Sequence, residues 1–199
     1  MPDKESRRAG PRKRRYRQDA RARAAQQTRE SILDAAAQCF SIDPYDAVSL
    51  RQIAKAASVT VQTVLRIFGS KGGLFEATAA RAVEQIGAER EAALDKDPRT
   101  AIATICVMYE RWGDATHRVF AQEDRVQSIR TVAERGRAYH RRWVRALFGK
   151  RLRGPSRERR LAVLVGLLDL ESYRRLRAQG LGPRAARDAL YDAAVTLLR

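Results

Sequence analysis

The segment from Ser49 to Phe75, SLRQIAKAASVTVQTVLRIFGSKGGLF, constrains the fold more than any other part of the chain. Ser49 precedes a helix and Gln52 follows three residues on, a spacing at which each side chain satisfies the other residue's backbone N–H. Ile53, Ala54 and Ala57 give that helix a small apolar face. Thr60 is placed to cap a second helix, whose Val64 and Phe68 point inward at i, i+4 spacing. The other face, with Val61, Gln62, Thr63 and Arg66, stays free. Ser70 caps a third helix that continues through Leu74, Phe75 and Thr78. Two short helices broken by a tight turn, with a third close behind, is an arrangement that presents a helix to the DNA major groove.

Composition extends this helical reading to the whole chain. Its 199 residues, 44% hydrophobic, suffice for one large or two small domains with ample core. Six Pro and twelve Gly are few, and Ala, Leu, Arg and Glu abound, so an all-α fold is expected. No period-2 apolar segment bounded by turn signals suggests a sheet. The longest apolar run, LAVLVGLL at 161–168, stops at Asp169 and is too short for a bilayer, which needs about 20 apolar residues. The basic N-terminus lacks the apolar stretch of a secretory signal. Cys39 and Cys106 are too few for a disulfide framework and read as small buried apolar residues. A cytoplasmic, nucleoid-associated protein with no membrane partner is expected.

From Thr28 to Phe75 the chain resembles the N-terminal domain of the tetracycline-repressor (TetR) family of transcriptional regulators. The resemblance rests on three blocks in order and at the family's separations: TRESILDAAAQCF, SLRQIAKAA and VQTVLRIFGSKGGLF. It implies a three-helix helix-turn-helix domain followed by a larger helical domain that dimerises through its last two helices and encloses an inducer. Lys71 matches the family's phosphate-contacting lysine. Three positions depart from the pattern. Ser58 stands where the family usually has a turn Gly, Leu65 where it has a Tyr, and Ile67 where it often has an aromatic or His. A non-Gly residue at positive φ costs roughly 1 kcal/mol. Loss of the Tyr hydroxyl removes a phosphate contact.

Charge is distributed unevenly. Residues 1–26 hold ten Lys or Arg against three acids, residues 27–80 hold five of each, and residues 81–199 hold 25 against 15. The expected reading head is therefore neutral, a poor phosphate binder by itself. Residues 1–18 read as a disordered basic arm, in which Arg7, Arg8, Arg12, Lys13, Arg14, Arg15 and Arg17 are available to DNA. Residues 19–75 form the helix-turn-helix domain, with Asp19 as cap of the first helix, and residues 76–199 the helical ligand-binding and dimerisation domain. Within the latter, helices are expected from Ser70 to about Leu94, from Asp97-Pro98 to about Gly113, over Thr116–Ala121, over Glu123–Phe148, over 156–179 and from Pro183 onward.

No catalytic constellation is present: there is no HExxH, Cys-x-x-Cys or GxSxG, and GSKGG at 69–73 lacks the leading glycine and strand of a phosphate loop. No enzyme, cofactor or metal is expected. Candidate DNA-binding residues are Ser49, Arg51, Thr60, Val61, Gln62, Thr63, Arg66 and Lys71. Arg66 suits bidentate pairing with guanine and Gln62 with adenine. The middle helices carry Met108, Tyr109, Trp112, His117, Tyr139, His140 and Trp143. An aromatic set at helical spacing is more often core than pocket, and His140 on an apolar stripe suits a hydrogen-bonded core histidine. The resemblance nevertheless implies an inducer in this region, which makes these seven the candidate ligand residues. Leu161, Leu164, Leu168, Leu190, Ala193 and Leu197 are the candidate dimer residues, on helices with more apolar surface than one protomer needs. The expected partners are thus double-stranded DNA, a second copy of the chain and a small-molecule ligand. The expected function is that of a repressor released from a near-palindromic operator by that ligand. The competing reading is a ligand-independent architectural or nucleoid-associated DNA-binding protein of the same fold.

Overall fold

A computed structural model describes residues 11–199, with side chains from Gln18 onward and that of Tyr16. The described residues are all-α: α1 (Pro11–Ile42), a 3-10 turn (Tyr45–Ala47), α2 (Leu50–Ala56), α3 (Val61–Phe68), α4 (Lys71–Leu94), α5 (Pro98–Phe120), α6 (Gln127–Phe148), α7 (Arg157–Leu167), α8 (Leu170–Ala178) and α9 (Pro183–Leu197). None of these helices is long and apolar enough to cross a membrane.

Two apolar cores organise them. The first gathers Ile32, Ala36 and Phe40 of α1, Ile53 of α2, Val64 of α3 and Leu74 and Phe75 of α4, and it is closed from below by Ile129 of α6. At its edge Phe40 stacks on Tyr45 at 5.6 Å, and Phe75 meets both rings edge-on at 5.2 and 5.5 Å. The second gathers Ile102 and Ile105 of α5, Trp143 and Phe148 of α6, Leu161, Leu164 and Leu168, Tyr173, and Ala186, Leu190 and Ala194 of α9. Helix α4 belongs to both, with Leu74 and Phe75 in the first and Ala93 in the second.

Several boundaries differ from those expected. Helix α1 takes in Pro11–Ile42, so the expected boundary between 18 and 19 falls inside it. No Pro or Gly lies between Pro11 and Ile42 to break the run. Residues 1–10 and the side chains of Arg12, Lys13, Arg14, Arg15 and Arg17 lie outside the described residues. Helix α5 runs through Gly113 to Phe120 instead of ending near Gly113, and the separate helix at Thr116–Ala121 is its last turn. Gly113 is there for close approach: a Cβ on it would come within 2.8 Å of Leu170 Cδ1. Helix α6 begins at Gln127, not Glu123, because residues 121–125 form a turn.

The expected single helix over 156–179 is broken at Leu168. Asp169 leaves the helical region (φ −81°, ψ 168°), and its side chain accepts from Ser172 N at 2.7 Å, starting α8. The freed carbonyls of α7 find new donors: Ser172 Oγ donates to Gly166 O at 2.6 Å and Tyr109 Oη to Leu168 O at 2.8 Å. A helix break with its orphan groups satisfied costs little.

Candidate nucleic-acid interface and ligand cavity

The capping predicted around α2 and α3 is observed. Ser49 N donates to Gln52 Oε1 at 2.7 Å and Gln52 N to Ser49 Oγ at 3.2 Å, completing the capping box. Thr60 Oγ1 accepts from Thr63 N at 3.1 Å. Between the helices Ser58 is the single non-glycine residue at positive φ, 55°, among the described residues. It closes a two-bond helix terminus in which Val59 N donates to Ala54 O at 2.9 Å and Ser58 N to Lys55 O at 3.2 Å, the geometry that usually carries glycine.

Helix α3 buries Val64 fully, half-buries Val61, Thr63, Ile67 and Phe68, and exposes Gln62, Leu65 and Arg66. Gln62 and Arg66 therefore share one open face, with Thr60 and Thr63 at its N-terminal end. Leu65 is 36% exposed on that face, an apolar side chain at the position of the family's Tyr. Ser49 and Arg51 are exposed at the start of α2. Lys71 is half-buried, with its ammonium 4.3 Å from the centre of the Tyr45 ring. Burial draws its pKa below the usual lysine value, against the opposing pull of Asp46. A cation seated on a ring face is held in place for a phosphate by an attraction worth about 0.5–1 kcal/mol. Arg29, which sequence reading passed over, lies on the ring of Phe68 at 4.8 Å. Its signal was an arginine on α1 adjacent to the apolar stripe.

Helix α3 has no independent hinge to α4. Ser70 Oγ accepts from Gly73 N at 3.0 Å, and a Cβ at Gly73 would strike Phe68 O at 2.3 Å. Opposite α3, Arg81 of α4 pairs with Glu30 and Asp34 of α1 at 3.0 and 2.7 Å. The head is tied to the rest by Arg118 donating to Ser41 O at 2.8 Å and by Arg135 pairing with Glu76 at 3.3 Å.

The seven candidate ligand residues are not gathered around one cavity. Met108 and Trp143 are buried in packing, and Trp143 Nε1 donates to Arg90 O at 3.0 Å. His140 is fixed between Val165 O and Arg90, each at 3.1 Å. Burial, reinforced by Arg90, lowers its pKa to about 4, so the ring is neutral. Tyr139 donates to Glu91 at 3.1 Å, His117 pairs with Glu171 at 2.7 Å, and Trp112 is 42% exposed beside Arg111. Only Tyr109 of the seven lines the cavity of about 280 Å³ between α5 and α8, with Glu110, Asp114, Tyr173, Arg174 and Arg177. Its acids are engaged: Glu110 by Tyr173 at 2.7 Å and Arg177 at 2.9 Å, Asp114 by Arg174. The packing that removes the others from a pocket joins helices distant in sequence, which periodicity alone does not report.

Four of the candidate dimer residues, Leu161, Leu164, Leu168 and Leu190, are buried inside the protomer. Broken at Leu168, the segment packs with α7 on α6 and α9 and α8 on α5 and α9, which consumes these leucines. Leu197 is half-buried and Ala193 exposed. The outward stripe of α7 is instead Ala162, Val163 and Gly166, with Val163 50% exposed, and that of α9 includes Ala189 and Ala193.

Comparison with known proteins bears on both cores. Residues 32–78 match the family model of bacterial regulatory proteins of the tetR family. No curated protein sequence matches the chain. Among solved structures, a Pseudomonas aeruginosa PAO1 protein assigned as a transcriptional regulator superposes with a TM-score of 0.67 at 17% identity, over 87% of this chain and 91% of that one. A transcriptional regulator from Rhodococcus sp. Rha1 superposes with a TM-score of 0.63 at 20% identity, over 87% and 95% of the two chains. NalD, the secondary repressor of the MexAB-OprM multidrug efflux pump in Pseudomonas aeruginosa, gives 0.54 at 24% identity, over 86% and 96%. At these identities the likeness is one of fold. Residues 32–78 thus match the tetR family of bacterial regulatory proteins, and the chain as a whole has the fold of TetR-family regulators.

Proposed function

We propose that the chain is a homodimeric transcriptional repressor that binds a near-palindromic operator through α3 and leaves it when a small molecule occupies the C-terminal domain. The observation that carries the reading is the α3 surface. Arg66 and Gln62 stand exposed on a helix held rigidly by Thr60 and by Val64 in the core. Such side chains suit guanine and adenine edges. The neutral charge of residues 27–80 leaves phosphate attraction to Lys71, Arg29 and the N-terminal basic segment. NalD, of the same fold, is a repressor. Dimerisation is assigned to Ala162, Val163, Gly166, Ala189 and Ala193, whose small side chains permit close helix approach. Replacing Val163 with Glu is expected to give monomers by light scattering, and an unchanged dimer moves the interface elsewhere.

Selection of bound sequences from a random DNA pool tests the reading directly. A repressor yields one motif, held with a specificity ratio of at least ~10³ over random DNA. Arg66→Ala then weakens operator binding by roughly 1–3 kcal/mol and relaxes one base pair per half-site. Equal weakening on operator and random DNA makes Arg66 a phosphate contact. The alternative of a ligand-independent architectural protein is favoured by one observation, the packing of Tyr139, His140 and Trp143 without a shared cavity. Binding without sequence preference in the same selection identifies it.

A further inference from the structure

Positive charge is concentrated at the corner where α6 passes into α7. Residues 141–160 hold nine Lys or Arg against one acid, Glu158, a net of +8 out of the chain's +17. Glu158 is shared by Arg141 at 3.2 Å and Arg145 at 3.0 Å, which seats the first turn of α7 on the last two turns of α6. Arg142, Lys150, Arg151, Arg153, Arg159 and Arg160 form no ion pair among the described residues, and all but the half-buried Arg160 are exposed. The apolar side chains of the corner turn the other way: Trp143, Val144 and Phe148 are buried, and Leu152 packs against the second core.

Two features set this corner apart from an ordinary solvated face. The first turn of α7 carries Arg157, Arg159 and Arg160, although the partial positive charge of a helix N-terminus disfavours cations there. Ser156, at the cap, makes no side-chain bond to the helix backbone, and its hydroxyl instead accepts from Arg159 Nη2 at 3.1 Å. The start of α7 thus stays open to an anion, with arginines on its rim. Cations gathered against the helix dipole and against one another repel, and a polyanion reverses the sign of that interaction. The corner also lies at the opposite end of α6 from the head. Nineteen residues separate Ile129 in the first core from Phe148 in the second, about 28 Å at 1.5 Å per residue.

We propose that this corner is a second DNA-binding surface, which holds the phosphate backbone of a duplex other than the one under α3 and does not read its sequence. Eight of its nine cations are arginines, whose planar forks match phosphate oxygens. A membrane surface fits less well, because adsorption to lipid uses exposed apolar side chains beside the cations, and residues 141–160 expose no large hydrophobic side chain. A protein partner would find no aromatic anchor there either. A phosphate chain needs only the spread of charges. A protomer occupied at both ends joins two DNA segments.

The test compares the full chain with the triple variant Lys150→Gln, Arg151→Gln, Arg153→Gln, three exposed loop positions whose loss leaves the Glu158 pairs in place. Binding to a random-sequence duplex is measured across a salt series, and capture of a labelled duplex by an immobilised one reports bridging. The triple variant is expected to lower the salt slope by about 2.7, at about 0.9 per phosphate contact, and to lose capture while still binding the immobilised duplex. The double variant Arg151→Lys, Arg153→Lys keeps the charge and is expected to keep capture, as a variant that merely disturbed the loop would not. The proposal is overturned if slope or capture is unchanged in the triple variant, or if the full chain captures no second duplex. It is overturned too if vesicles of phosphatidylserine and phosphatidylcholine bind in a loop-dependent way and the duplex does not. A sequence-selective α3 survives each of those results, and a corner that binds DNA survives loss of selectivity at α3.

Discussion

The two ends of α4 sit in very different surroundings. At the head end Leu74 and Phe75 are buried among aliphatic and aromatic side chains, and the polar groups around them are served by near neighbours in sequence: Gly73 N by Ser70, Gln52 N by Ser49, Thr63 N by Thr60. At the far end Arg90 is buried among polar and aromatic groups whose partners lie 25 to 59 residues away, as in His140 with Val165, Trp143 with Arg90 and Tyr109 with Leu168. The helix caps of the head are specified locally, whereas the buried polar groups of the far end are held by tertiary bonds. Local specification makes a stable, fixed reading surface. Tertiary polar bonds in a low-dielectric interior hold strongly when complete and fail together when one is lost.

The sharpest way to break this contrast is to remove a member of the far set. Trp143→Ala should cost about 3–5 kcal/mol through cavity formation, besides the bond to Arg90 O, measured by denaturant unfolding. A loss below 1 kcal/mol would mean that the far end relaxes freely and is not the coupled set described.

Acid should act on the far end next. His140 has its pKa lowered from 6.5 to about 4, so between those values the unfolded chain binds a proton that the folded one does not. Its contribution is complete above about pH 6.5 and is lost as pH falls towards 4, by up to about 3 kcal/mol at 1.36 kcal/mol per unit. His140→Gln should flatten this part of the stability–pH curve, while an unchanged slope assigns it to carboxylates instead.

The head should respond in smaller, local steps. Thr60→Ala removes the α3 cap and should cost about 1 kcal/mol. Ser58→Gly relieves the positive φ and should raise stability by about 0.5–1 kcal/mol without altering operator choice. A destabilised Ser58→Gly protein would show that the serine side chain does more than tolerate the turn.

Legibility in the sequence follows the same division. The capping box, the Thr60 and Ser70 caps and the open face of α3 were readable because each depends on residues three or four apart. The Asp97-Pro98 start of α5 was readable for that reason too. Arg90 was not: within GAEREAAL it looks like one more solvated charge, and no local pattern reports that α6 covers it. The break at Leu168 was missed because LAVLVGLLDL continues the apolar run. The available sign was Asp169 with Glu171 behind it, an acid-rich helix start. The leucines of α7, expected to meet a second protomer, are buried against α6 and α9 of the same one. Apolar surplus on a helix does not say which neighbour absorbs it.

The absence of room for a methyl group at Gly73 has a mechanical consequence. With α3 locked to α4, the reading helix and the long helix turn as one lever. Sixteen residues separate Leu74 from Arg90, so at 1.5 Å per residue the arm is about 24 Å. A tilt of about 10° at the Arg90 end sweeps the other end by roughly 4 Å, more than the ~3.4 Å step from one base pair to the next. A tilt of that size would displace the exposed face of α3 by a full letter of the DNA text.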